Sequence, residues 1–206
     1  MSQFYRRQEV WIVYFFDLKL EECQQFKDQY IDMAKDLYGA IKVAAIDCVK
    51  DEELCEEFNV SQVPQIMIFS DSTSDAGEKY TGEMTADSLM KAAVKKMQNF
   101  VSPVSEDNYQ SFIEQEPAKH KILLFNDSKN TPSTYKALSK KFLERLNFGE
   151  VQKGPLAKKF GIESYPTIVA VTDPDNFKGE TYSGEMKIDK IAKFLGNYAY
   201  STPKKS

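Results

Sequence analysis

The two halves of this 206-residue chain carry the same landmarks at one fixed interval. Pro64 answers to Pro166, Phe58 to Phe160, Tyr80 to Tyr182, and Gly82-Glu83-Met84 to Gly184-Glu185-Met186, each pair 102 positions apart. The match runs on through Leu89 and Ile191, and Ala92 and Phe194. Upstream, Ile12-Val13-Tyr14-Phe15 answers to Ile122-Leu123-Leu124-Phe125 at an interval of 110, so the first copy holds eight more residues between its apolar run and its proline. A repeat of about 100 residues has the size of a whole domain and predicts two copies of one fold rather than a solenoid of short units. The expected domains are residues 1–99 and 100–206, with the seam near 98–100.

Each copy reads as strand, helix, strand, helix, proline turn, two strands, helix. In the first, the apolar run at 12–16 is rich in β-branched and aromatic residues and far too short to span a bilayer, so it predicts a central buried strand. A helix is expected over 21–37, with Cys23, Phe26, Tyr30, Met33 and Leu37 on one face at three- and four-residue spacing. A strand at 41–47, a short helix at 51–58, strands at 65–69 and 78–81 joined by a turn at 71–77, and a helix at 85–97 complete it. The second copy opens with an additional edge strand at 101–104 and a helix at 106–115, ahead of a central strand at 122–125. The first copy has no counterpart to that opening, an expected sign of a cut N-terminus or a natural short form. Alternation of β and α elements before a terminal hairpin predicts an α/β fold with a mixed sheet covered on both faces.

Charge and composition exclude several functions. The net charge of −4 comes without a Lys/Arg cluster, which argues against a nucleic-acid partner, and it is too small for a calcium buffer. The acidic run at 51–57 reads as a solvated helix face. No apolar run of 18 residues predicts a membrane span, residues 1–7 lack the apolar core of a signal peptide, and 201–206 match no retention address. A single histidine, His120, and three cysteines leave no metal site to expect. Taken as residues alone, Cys48 and Cys55 could form a bridge or two buried thiols. Pro64 and Pro166, each leading into an apolar strand, could follow a cis or a trans bond. Asn59-Val60-Ser61 and Asn126-Asp127-Ser128 are glycosylation sequons, a motif that also arises by chance.

With both copies aligned, each half resembles a thioredoxin domain of the protein disulfide isomerase family. The residues that carry the resemblance are the central strand, the ungapped stretch from 41 to Pro64, the Phe-Asn-Val or Phe-Gly-Ile before each proline, and the Tyr-x-Gly before each last helix. More weakly, the tandem resembles segments of J-domain-containing disulfide isomerases of the endoplasmic reticulum. The resemblance implies two thioredoxin-like domains, a cis proline in each facing the active-site helix start, and a structural Cys48–Cys55 disulfide. The disulfide would in turn imply an oxidising compartment, and with the family it points to the endoplasmic reticulum lumen.

The resemblance also identifies what is missing. Thiol–disulfide exchange needs one thiolate to attack and a second thiol to resolve the mixed disulfide, which the family supplies as Cys-x-x-Cys at a helix start. The corresponding positions here are Leu20-Glu21-Glu22-Cys23 and Asn130-Thr131-Pro132-Ser133. Cys23 falls on the resolving position, deeper than the attacking one, and Leu20 cannot be a nucleophile. The buried glutamate and lysine that move protons in active members are Tyr14 and Ala45 here, with Leu124 at the strand position of the second copy. The expectation is therefore no catalytic residue and no cofactor. A groove bordered by Leu20, Val63 and Pro64, and by Tyr165 and Pro166, is expected to take a polypeptide client or partner protein. A weak monothiol oxidoreductase using Cys23 and a structural spacer remain as alternatives, and the oligomeric state is open.

Overall fold

The computed structural model describes residues 9–70 and 76–199. Most of the expected turn at 71–77, and the terminal segments 1–7 and 201–206, lie outside them. The chain divides into two compact units, Met1–Gln98 and Asn99–Ser206. Each is an α/β unit with its own mixed sheet.

In the first unit, β1 (Trp11–Phe16), β2 (Lys42–Asp47), β3 (Gln65–Phe69) and β4 (Glu78–Lys79) form a sheet in the order β2-β1-β3-β4. The β1–β2 pair is parallel, and β3 is antiparallel to its neighbours. The helices are α1 (Glu21–Leu37), α2 (Glu52–Glu57) and α3 (Ala86–Lys95). Strand periodicity puts alternate side chains of β1 on opposite faces. Val13 and Phe15 pack with Ile46, Cys55, Phe58, Met67 and Phe69. Tyr14 faces the other way, against Phe26 and Tyr30 of α1 at centroid distances of 5.5 and 5.0 Å. The residues α1 buries are Cys23, Phe26, Tyr30, Met33 and Leu37, the stripe expected from spacing.

The second unit has five strands, β5 (Val101–Val104), β6 (His120–Asn126), β7 (Leu146–Gln152), β8 (Thr167–Asp173) and β9 (Lys178–Thr181), in the order β5-β7-β6-β8-β9. Its helices are α4 (Tyr109–Glu114), α5 (Ser133–Lys141), α6 (Pro155–Lys159) and α7 (Ile188–Leu195). The opening strand β5 runs parallel to β7 from Val101 opposite Phe148 to Val104 opposite Val151. Among the described residues no strand occupies the corresponding outer edge of β2. The neighbours of Gly149 show how closely β5 and α4 press on the second sheet. A Cβ there would run into Val104, Leu123 and Phe112, whereas Ala44, its counterpart on β2, carries a methyl group and is only half-buried.

Two features recur in both units and explain pieces of the repeat. Tyr30 donates its hydroxyl to the carbonyls of Ile12 and Ala44, tying helix to both parallel strands. Tyr135 does the same to Ile122 and Gly149. In each Tyr-x-Gly, the ring lies over the glycine, so that a Cβ at Gly82 or Gly184 would collide with Tyr80 or Tyr182. Those hydroxyls close on the carbonyls of Glu83 and Glu185.

Several elements are shorter than the sequence pattern predicts, among them α3, which runs over Ala86–Lys95 against an expected 85–97. The helix expected over 106–115 begins only at Tyr109, because Asn108 accepts from the Ser105 N–H and donates to the Pro103 carbonyl, holding 105–108 in a turn. The strand expected over 78–81 ends at Lys79, where Tyr80 turns its ring onto Gly82.

Candidate functional site

The same sheet end gathers the expected site residues in each unit. In the first, β1 ends at Phe16, and four residues later Leu20 caps α1 with extended backbone (φ −85°, ψ 129°). A leucine offers no side-chain acceptor, so the helix start is left without a side-chain cap. Asp17 closes the link instead. Its carbonyl accepts from the Leu20 N–H and its side chain from the Lys19 N–H. The Leu20 side chain is 39% exposed and its near neighbour Leu18 is 42% exposed. Two apolar side chains thus stand in solvent where a helix start would otherwise present polar groups.

The proline loop reaches the same end by the register of the sheet. Gln65, the first residue of β3, lies opposite Phe15 near the end of β1, so Val63 and Pro64 flank the β1–α1 link. The second unit repeats this, with Thr167 opposite Phe125 and Tyr165 and Pro166 ahead of it. The Val63–Pro64 and Tyr165–Pro166 peptide bonds are both cis. Val63 and Tyr165 are half-buried against their units' cores, and Lys153 stands over the Tyr165 ring at 5.7 Å.

Cys23 is fully buried and is the free cysteine of the chain. The Tyr14 hydroxyl lies beside its thiol, buried and without a hydrogen bond of ordinary geometry. Burial, and then the neighbouring Cys23, push the Tyr14 phenol far above the usual tyrosine value. Tyr14 therefore holds its own proton at neutral pH and offers no base for the thiol. Cys48 and Cys55 form a disulfide with a Cα–Cα distance of 5.8 Å, which pins α2 to the end of β2. The exposed face of α2 consists of Glu52, Glu53, Glu56 and Glu57.

The corresponding end of the second unit is built differently. Ser133 is the first residue of α5 and Asn130 lies exposed in the loop before it. Cys23 precedes the clamping Tyr30 by seven residues, but Ser133 precedes Tyr135 by only two. The first two helical turns of the first copy are thus replaced here by the loop 127–132. What fixes that loop is a polar cluster the sequence reading did not single out. Glu150 on β7 stands at the position of Ala45, beside Leu124, and accepts hydrogen bonds from Asn126 (2.7 Å) and from the Thr131 hydroxyl. Asn126 also donates to the Asn130 carbonyl and accepts from the Ser128 N–H. The available signal was a lone carboxylate in the middle of a strand, which demands partners when half-buried. With its acceptors satisfied, the cluster reads as a brace for the loop.

An apolar cavity of about 750 Å³ lies against β2 and the C-terminal half of α1, lined by Tyr30, Ile31, Tyr38 and Val43 among others, and includes neither Leu20 nor Pro64. His120 is exposed at the start of β6, edge-on to Tyr198. Among the described residues no helix is long and apolar enough to cross a membrane.

Tandem mixed sheets, each with a cis-proline loop beside the link from its central strand to the helix that follows, define the class: these are thioredoxin-like domains, and residues 2–95 match the thioredoxin family model. More particularly, the proteins the chain is similar to include protein disulfide isomerases and DnaJ proteins. A protein disulfide-isomerase-like chain of Dictyostelium discoideum is 30% identical over 201 residues, which cover 94% of this chain and 49% of that protein. The protein disulfide-isomerase of Humicola insolens is 24% identical, covering 94% of this chain and 38% of that one. The DnaJ protein ERDJ3A of Oryza sativa is 25% identical, covering 77% and 29%. Among solved structures, full-length ERdj5 matches with a TM-score of 0.65 at 20% identity, covering 93% of this chain and 30% of that chain, a likeness of fold. The chain spans half or less of the length of these relatives.

Proposed function

We propose that this chain is a redox-silent pair of thioredoxin-like domains that holds an extended polypeptide segment, serving protein folding or quality control in the endoplasmic reticulum lumen. The observation that carries the reading is the pairing of an exposed Leu20 at the attacking-thiol position with a fully buried, solitary Cys23. A two-step exchange cycle has no first thiol to begin it. What remains beside the proline is apolar surface together with backbone ahead of a strand, the elements that strand addition uses. The second unit contributes Tyr165 and Pro166 in the same arrangement. The Cys48–Cys55 disulfide and the homology to protein disulfide isomerases support the luminal placement.

The test is an equilibrium titration of a fluorescently labelled, cysteine-free unfolded polypeptide against the full chain. Binding is expected to survive Cys23→Ser and to weaken by about tenfold or more in Leu20→Asp, since burying a leucine contributes roughly 1.5–3 kcal/mol. Absence of binding, or binding indifferent to Leu20 and to Val63→Asp, would overturn the proposal. A parallel insulin-reduction assay addresses thiol chemistry: turnover that disappears in Cys23→Ser would show that the chain is an enzyme.

A further inference from the structure

The two sequons occupy opposite environments. Asn126 is 3% exposed, its side-chain nitrogen donates to Glu150 and to the Asn130 carbonyl, and its side-chain oxygen accepts from Ser128. No sugar can be attached to that nitrogen in the folded unit without breaking the cluster that braces the loop. Asn59 is the reverse case. It directly follows the C-cap of α2 and adopts the left-handed conformation, φ 55°. Its backbone N–H bonds the Glu56 carbonyl while the Val60 N–H bonds that of Cys55. Gly161 ends α6 in the same way, φ 67°, with matching bonds to Lys158 and Ala157, 102 positions later. Helix termination at this position fixes the backbone and leaves the side chain out of the core. Asn59 and Ser61 are both exposed, while Val60 between them packs against the core and anchors the turn. The bridged Cys55 anchors the preceding helix.

We infer that Asn59 is an N-glycan acceptor and that Asn126 is not. The donor is a polyprenyl-diphosphate-linked oligosaccharide of the secretory pathway. The Asn59 amide nitrogen forms a bond to the anomeric carbon, and the bond from that carbon to the diphosphate oxygen breaks. The lipid diphosphate departs with the electron pair, and the amide proton passes to a base of the transferase. The Ser61 hydroxyl, two residues on, completes the acceptor triplet. The sugar would stand on the loop that leads from α2 to Pro64.

This inference rests on the luminal placement proposed above, so its test supplies the compartment independently. The full chain, preceded by a secretory signal, is expressed in cultured eukaryotic cells, and its intact mass is measured before and after amidase removal of N-glycans. One glycan is expected on the folded protein. It should be lost in Asn59→Gly, which keeps the left-handed turn, and in Ser61→Ala, and it should persist in Ser128→Ala. Unmodified wild-type protein, or a glycan that persists in Asn59→Gly, would overturn the inference. Whether the natural protein reaches the lumen is read separately, from its location in its own cells, so the two ideas fail independently.

Discussion

Leucine at position 20 is the residue on which the functional reading turns, and its replacement by cysteine is the sharpest test at that scale. Leu20→Cys places a thiol at an exposed helix start three residues before Cys23. Given a disulfide-containing polypeptide, the variant should capture it as a mixed disulfide when Cys23 is also replaced by serine, the new thiolate bonding one client sulfur while the other leaves as a thiolate. The product should be visible as a reducible mass adduct that neither Cys23→Ser nor the wild type forms. Sustained turnover should stay poor even with both thiols, because Tyr14 keeps its proton and cannot serve the buried cysteine. The clamping tyrosines give a second prediction. Burial raises Tyr30 and Tyr135 well above their usual 10. The unfolded chain releases these protons from about pH 10 upward while the folded chain keeps them, so the native state then binds more protons and stability falls as pH rises. Denaturant midpoints should be flat in this respect below about pH 9 and decline above pH 10. Tyr30→Phe, which gives up two hydrogen bonds for about 1–3 kcal/mol, should lessen the alkaline decline.

At the scale of elements, the disulfide and the Tyr-x-Gly turns make independent predictions. The Cys48–Cys55 bridge closes a loop with a sequence separation of 7, for which chain entropy gives about 2–3 kcal/mol. Replacing both by alanine should lower the stability of the first unit by that amount, and reductant should then have no further effect on unfolding. Gly184→Ala should cost about 1–3 kcal/mol, because the Tyr182 ring must leave its place over residue 184. The long periodic elements were legible in the sequence: the five-residue stripe of α1 is the one buried, since a 3.6-residue period needs no tertiary information to be seen. Side-chain-to-backbone bonds were not legible. Asn108 cut α4 short through local bonds to Ser105 and Pro103 that hydrophobic periodicity does not register. The cluster around Glu150 delayed α5 to Ser133 through partners that only the fold brings together. Alignment of Ser133 with Cys23 holds for the helix start and fails for helix register, because the clamp that defines register joins residues distant in sequence.

The whole molecule repeats one fold with unequal edges. β7 is covered by β5, whereas among the described residues the outer edge of β2 carries no partner strand. Outward-facing amides of β2 should therefore exchange with deuterium faster than those of β7, a contrast that depends on pairing and not on helix burial. The repeat interval disclosed two domains because insertions between elements leave the order of elements intact. It could not disclose a ligand for the binding surface proposed beside each proline, since the chain covers half or less of its relatives and positions 20–23 and 130–133 hold no pair of thiols. Hydrogen exchange on the intact chain, with and without saturating cysteine-free unfolded polypeptide, measures that directly. Protection confined to the segments around Leu18–Leu20 and Val63–Pro64, with or without the loop at Tyr165, is the predicted result. Protection centred instead on the cavity at Ile31 and Tyr38, or none anywhere, would contradict it.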